Sequence, residues 1–403
     1  MPCKRASRNR IRNGGFKVKT EAIEFLKTLL RIQSVNPPGN EWAVAQAIES
    51  LLTTYGLEAE CRPFDEGRAN LVGWLRGTST AKNRRTLAVS GHMDVVPPGQ
   101  VPWDHAPFSA DEVNGRIYGR GAADMKGGLV ALIFAMLELK TEGRPLNGDI
   151  KLLATAGEES SAVGSGRLYR EGAMDDVDAL LVAEPTGGEI MVANKGVLWV
   201  EVTTYGQTAH ASLPESGINA IAHMTKILDR LFNEFAMTYE LDPLLGGPTF
   251  SVDVIEGGVK TNVVPDRCRI EIDIRTVPSQ RHDHIVQELR QLIDRVQQES
   301  PDLKTEIRIL NDLPSVRTPV DDPFVTLVQE SVKEIFGEQR PPSGVTAYTD
   351  CSQLVPPEGR HQPFVIISGA DTHLAHQPNE YIAVDTFLKS IELYKTIMTK
   401  YLA

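Results

Sequence analysis

The sequence has no apolar run approaching the roughly 20 residues that a bilayer-crossing helix needs, and its N-terminus lacks the apolar stretch of a secretory signal. It is also poor in cysteine. Cys3, Cys61, Cys268 and Cys351 lie far apart and form no CxxC pair, which excludes a disulfide framework or a cysteine-ligated structural zinc and points to a reducing, cytoplasmic compartment. Positive charge is in deficit, with 42 basic against 53 acidic residues and a formal net charge of -11. Nucleic-acid binding needs a concentrated basic surface, so neither a nucleic acid nor a membrane is an expected partner. There is no internal repeat and no low-complexity segment. One local exception is residues 1–19, which hold Lys4, Arg5, Arg8, Arg10, Arg12, Lys17 and Lys19 and no acid. With little serine and no amphipathic face they read as a basic, disordered tail rather than a transit peptide.

At 403 residues the chain exceeds the usual single core, so two domains are expected. Thr20 is a candidate N-cap for a helix carrying Ile23, Leu26 and Leu30, which stops at Asn36-Pro37-Pro38-Gly39, and a second helix runs toward Gly56. Short apolar runs at Asn70 to Leu75, Thr86 to Ser90, Ile150 to Thr155, Ala179 to Ala183 and Phe364 to Ser368 read as strands, with a helix from Gly128 to Leu139 among them. From Val197 the pattern changes to strand, helix, strand, strand, helix, strand, ending at Leu310, which is the order of a ferredoxin-like unit. The fold class expected is therefore α/β: a mixed-sheet catalytic domain over 20–196 and 311–403, interrupted by a small α+β domain over 197–310.

The chemistry-bearing residues gather at strand ends. Ser90-Gly91-His92-Met93-Asp94 follows the strand Thr86 to Ser90, at the sheet edge where α/β active sites lie. Residues two apart in extended chain point the same way, so His92 can bind a metal while Asp94 holds it from behind. Glu158-Glu159 and Glu184 follow two further strands, and Asp124 sits in a glycine-rich turn. Each of these acids alone reads more readily as a helix cap, a reading that the set together resists. Ala375-His376-Gln377-Pro378-Asn379-Glu380 adds a second histidine. Two histidines with several carboxylates and no cysteine suit zinc, cobalt or manganese.

The segments SGHMDVV, GRGAADMKGG, ATAGEES, VAEPTG, GQTAHAS, TNVVPD and AHQPNEY, in this order along most of the chain, resemble the M20 family of metallohydrolases. That resemblance implies two divalent ions per subunit, zinc or cobalt, with His92 and Glu184 on one, Glu159 and His376 on the other, and Asp124 bridging. It implies that Glu158 is the general base, that Asp94 orients His92, and that the inserted unit is a lid and dimerisation domain. His210 would reach a neighbouring active site in a homodimer and steady the oxyanion, while Arg275 and Asn262 would hold the substrate. Without the family, His210 is an ordinary strand-end residue, Arg275 a solvated strand residue and Asn262 a turn residue. Ser368-Gly369-Ala370 stands where family members often have Gly-Pro-Gly, and Cys351 replaces a commoner small residue. The stretches LLATAGEE, DVDALLVAEPTG, NVVPD and DIRTVP most resemble the desuccinylase-like members, so the expected substrate is a small N-acyl amino acid, with N-succinyl-diaminopimelate first. Acetylornithine deacetylase or a broader N-acyl-amino-acid amidase is the alternative. A non-catalytic binding protein on the same fold would have lost a ligand or the base, and none is missing.

Overall fold

The computed structural model describes residues 19–80 and 84–403; the basic tail therefore lies outside the described residues apart from Lys19. A helix already occupies residues 19–31, so Thr20 is a helical residue and not the N-cap that its side chain suggested.

Among the described residues, nine strands form one large mixed sheet. Its centre is the parallel trio Asp149–Thr155, Thr86–His92 and Ala179–Val182, flanked on one side by the antiparallel ribbon Arg68–Leu75 and Glu58–Asp65. On the other side Phe364–Ile366 lies between Ala179–Val182 and Ile190–Asn194, although those two strands are near neighbours in sequence. The parallel strands are buried along their whole length, as expected of a sheet covered on both faces. Leu87, Val89, Leu152 and Leu181 pack on one face, beneath the helices Glu41–Thr54, Lys126–Glu142, Pro323–Phe336 and Val384–Tyr401. The intervening Ala88, Leu153, Leu180 and Val182 pack on the other, against Leu168, Met174 and Leu354. Helix Lys126–Glu142 is buried from Lys126 through Leu139, which explains its apolar run without a polar stripe.

A second, four-stranded antiparallel sheet has the order Thr249–Gly257, Arg267–Thr276, Gly196–Tyr205, Lys304–Leu313. Helices Ala220–Glu234 and His282–Glu299 close it over its own core of Leu198, Val200, Ile227, Ile270, Ile274 and Leu289. This is the ferredoxin-like arrangement. The strict alternation of Arg267–Thr276 follows from one face lying on that core while Arg269, Glu271, Asp273 and Arg275 face away.

A third, small sheet pairs Tyr381–Ala383 with Arg116–Tyr118, and the latter with Glu112–Val113. It joins the segment after His376 to the segment before Asp124.

Candidate metal centre

Three parallel strands run side by side toward one edge, where His92 lies opposite Thr155 and Val182 stops opposite Ser90, two residues short of them. The residues that follow each strand therefore emerge along one edge of the sheet, where its helices leave space. His92 is fully buried there, with Glu158 and Glu159 opening the short helix Glu158–Ser161 and Glu184 two residues beyond the third strand. Asp124 stands just ahead of helix Lys126–Glu142. The close seating of that helix depends on Gly128, where a Cβ would come within 2.2 Å of the carbonyl oxygen of Ala183.

His92 Nε2 lies 3.1 Å from Asp124 Oδ1 and 3.7 Å from Glu184 Oε2. On the far side, His376 Nε2 lies 3.3 Å from Asp124 Oδ2 and 3.0 Å from Glu159 Oε2. Each oxygen of one carboxylate thus faces a different histidine. Ligand atoms of His92, Asp124 and Glu159, and of His92, Glu158 and Glu184, lie within 4.8 Å of one another. His376 has a left-handed backbone, φ 62°, a conformation that non-glycine residues hold only where surrounding structure enforces it.

The structure gives the Asp94 carboxylate a task besides facing His92. His92 Nδ1 is 3.0 Å from the backbone carbonyl of Asp94 but 3.6 Å from its nearest carboxylate oxygen, so the backbone oxygen accepts the Nδ1 proton and leaves Nε2 free for a cation. The Asp94 carboxylate instead accepts from the amides of Gly157, Glu158 and Glu159 at 2.9, 3.2 and 3.2 Å, and from Asn36 Nδ2 at 2.9 Å. Stretched over the turn that carries both glutamates, it caps a helix N-terminus.

The electrostatics are those of a cation site. Burial raises the Glu184 carboxyl to about 8, and Glu158 is pushed well up by burial and by the charge of Glu184. Hydrogen bonds to Asp124 and Glu159 push the His376 imidazole up to about 10. Burial opposes the charge of His92, yet the carboxylates of Glu184, Asp124 and Asp94 hold its pKa raised. Oε1 of Glu184 is a buried oxygen with no hydrogen-bond partner. Crowded carboxylates and an orphaned oxygen fit divalent ions, which would neutralise the repulsion and take up the free lone pairs.

Asp124, Glu158, Glu159, Glu184 and His376 line a cavity of about 390 Å³, with His92 buried beneath them. Arg275 joins them from the four-stranded sheet, held by Asp273 through bonds of 2.7 and 2.8 Å, and Trp199 donates to the same aspartate at 2.8 Å. A larger cleft of about 670 Å³, near Asp242 and Arg317, gathers no comparable ligand set. His210 and Asn262 do not line the 390 Å³ cavity. They are exposed neighbours, tied by the Ala211 amide donating to the Asn262 carbonyl at 3.1 Å, and His210 Nδ1 lies 2.7 Å from Ser212 Oγ.

Sequence reasoning passed over Asp350, a buried carboxyl bonded to Thr155 with Oδ1 unpartnered, and Tyr348, whose hydroxyl donates to the Glu158 carbonyl at 2.8 Å. It also passed over Arg120 and Glu380, both within motifs already noted. Two opposite charges flanking separate ligands were the available signal.

The comparisons agree with this geometry. The model of peptidase family M20/M25/M40 matches residues 88–400. A probable succinyl-diaminopimelate desuccinylase of Staphylococcus aureus (strain MSSA476) is 33% identical over 412 residues, covering 95% of this chain and 98% of the relative. An acetylornithine deacetylase of Aliivibrio salmonicida is 26% identical, covering 94% and 98%. Among solved structures, an M20 family metallo-carboxypeptidase from Sulfolobus solfataricus superposes with a TM-score of 0.78 at 24% identity, over 94% of this chain and 99% of the other, a likeness of fold. A family match over most of the chain, joined to a buried cluster of histidines and carboxylates, makes this chain a member of peptidase family M20/M25/M40 and a metal-dependent hydrolase.

Proposed function

We propose that the protein hydrolyses the amide bond of an N-acyl amino acid, with N-succinyl-diaminopimelate, cleaved to succinate and diaminopimelate, as the first substrate. The observation carrying the two-metal reading is Asp124, whose two oxygens face His92 and His376 separately. His92 and Glu184 would hold one ion, Glu159 and His376 the other, and Asp124 both, with zinc favoured and cobalt able to replace it. Such ions supply Lewis-acid polarisation of the scissile carbonyl and a more acidic attacking water. Glu158, buried beside the cluster with its backbone held by Tyr348 and Asp94, takes the water proton and delivers it to the leaving amine.

Arg275 receives the substrate carboxylate, for which a forked guanidinium is well shaped, and Asn262 lies on the same unit. In this reading residues 20–196 and 311–403 are catalytic and 197–310 form the lid and dimerisation unit. The four-stranded sheet has free edges at Thr249–Gly257 and Lys304–Leu313, and Ile255 and Val259 are exposed at or beside the first. Pairing there would give a homodimer, and His210, standing outside its own cavity, would then serve its partner's. The cytoplasm is the proposed compartment. Cys61, Cys268 and Cys351 are free thiols, and no helix among the described residues is long and apolar enough to cross a membrane.

The desuccinylase-named relative supports the succinyl substrate. A broader amidase, or an acetylornithine deacetylase, is favoured instead by the cavity wall: Met191, Trp199, Val345 and Ile366 are apolar, and Arg275 is the single guanidinium. Turnover of N-succinyl-diaminopimelate, N-acetylornithine and simple acyl amino acids with added zinc or cobalt separates these readings. Preference for an uncharged acyl group by tenfold or more in kcat/KM would overturn the first.

A further inference from the structure

Two charged residues that touch none of the catalytic groups by their side-chain tips cross between the loops that carry Asp124 and His376. Glu380 is fully buried, and its Oε1 accepts from the amides of Gly121, Ala123 and Asp124 at 3.1, 2.8 and 3.0 Å. Its other oxygen accepts from Arg120 Nη1 at 2.6 Å. Arg120, buried as well, donates in return to the carbonyls of Gln377 and His376 at 3.2 and 3.4 Å. Its second terminal nitrogen also reaches Pro97 O at 3.4 Å, and its guanidinium lies 5.1 Å over the Trp103 ring. The residue on the Asp124 loop therefore grips the backbone of the His376 loop, and the residue on the His376 loop grips the backbone of the Asp124 loop. The strand pair Tyr381–Ala383 and Arg116–Tyr118 fastens the two loops just beyond this crossing.

A buried ion pair is poor value as mere stabilisation, since desolvation consumes most of its attraction. Here one oxygen of the Glu380 carboxylate is given to three amides of the segment 121–124 that ends in Asp124, and both terminal nitrogens of Arg120 reach the carbonyls of the His376 loop, one of them shared with Pro97. We infer that Arg120 and Glu380 are reciprocal positioning residues that set the separation of Asp124 and His376, and so govern how tightly the Asp124–Glu159–His376 half of the centre holds its ion. The inference rests on the two-ion reading above. The other half shares Asp124, but its remaining ligands His92 and Glu184 hang on the strand ends Thr86–His92 and Ala179–Val182, which neither residue grips. Loosening the clamp should therefore separate two affinities that a general loss of stability would lower together.

The test titrates chelated protein with cobalt(II), following visible absorption and bound metal per chain, for the wild type, Glu380→Gln and Arg120→Lys. Glu380→Gln retains an oxygen for the three amides but turns an amide group toward Arg120. Arg120→Lys keeps the charge and loses the fork that spans two carbonyls. Both variants should bind one equivalent within about threefold of the wild type and the other about 10- to 100-fold more weakly, the range found when partners of metal ligands are lost. If one variant does not fold, the other decides. Equal weakening of both equivalents, or no weakening, overturns the clamp. A wild type that binds fewer than two equivalents overturns the two-ion reading itself, which is a distinct result.

Discussion

Replacement of Asp94 by alanine would strand three donors in the interior, the amides of Gly157, Glu158 and Glu159, and would take one of two partners from Asn36 Nδ2, which keeps Ser160 Oγ at 3.0 Å. Asp94 is fully buried, so water cannot take over its role. A buried donor left unsatisfied costs about 1 to 3 kcal/mol, which places the loss at about 3 kcal/mol or more. That is a large part of the roughly 5 to 15 kcal/mol that keeps a domain folded. The substitution also relieves repulsion with Glu41 and removes a counter-charge from Lys126 and Arg68, effects of opposite sign. Asp94→Asn keeps one oxygen for two of the donors and faces the others with an amide, so about 2 kcal/mol should be lost. Urea unfolding of chelated proteins at 25 °C measures both values without a metal contribution. Were Asp94 concerned only with His92, chelated Asp94→Ala would unfold within about 1 kcal/mol of the wild type, and that outcome would refute the capping argument.

Glu158→Ala should retain its metals and lose most of kcat, whereas Glu159→Ala should lose metal; metal analysis of the two purified variants checks the assignment, and the reverse pattern would show the roles exchanged. Prolonged chelation should abolish turnover and zinc or cobalt restore it, full activity of metal-free protein being the contrary result. The metal-free protein should also become less stable as pH rises. Folding raises Glu184 from 4.5 to about 8 and His376 from 6.5 to about 10, so both stabilise fully below their ordinary values and cease to do so as pH climbs through the raised ones. Melting of chelated protein at pH 6 and pH 9 tests this, and a higher Tm at pH 9 would contradict it. Mixing Glu158→Ala with His210→Ala under conditions of subunit exchange should restore activity if His210 serves the partner's site, since one site of each mixed dimer keeps both residues. A mixture that stays inactive after proven exchange places His210 outside any cross-subunit role.

The buried parallel strands were legible because short, dominantly apolar runs such as Leu87 to Val89, Leu152 to Ala154 and Ala179 to Val182, ended by a turn or a polar residue, have few other uses. The alternating Cys268 to Arg275 was legible for the complementary reason, that one of its faces is polar. Pro342–Val345, whose proline and glycine read as a turn, was missed, and so was Ile190–Asn194, although it is longer than Ala179–Val182. Thr20 failed as a cap because the helix begins ahead of it. At the site, residue type and position at strand ends pointed to His92, Glu158, Glu159 and Glu184, and the structure draws them together with Asp124 and His376. What sequence could not convey was the partner of each group. The HxD spacing suggests a side-chain contact between His92 and Asp94, but the backbone oxygen is nearer, and the carboxylate is drawn to three amides more than 60 residues away. Arg120 and Glu380 are 260 residues apart, and no local pattern reveals their pairing.

The placement of Phe364–Ile366 between Ala179–Val182 and Ile190–Asn194 also constrains how the chain is made. The central sheet cannot close when its first strands leave the ribosome, because the slot between Ala179–Val182 and Ile190–Asn194 is reserved for Phe364–Ile366, a segment synthesised much later. Until then two apolar edges stand open, the condition under which nascent chains pair with one another instead of with themselves. The four-stranded unit, with its own core, can fold during that interval and occupy the chain between the waiting edges. The same late segment leads directly to His376, so the central sheet acquires its last strand just ahead of the last residue proposed as a metal ligand.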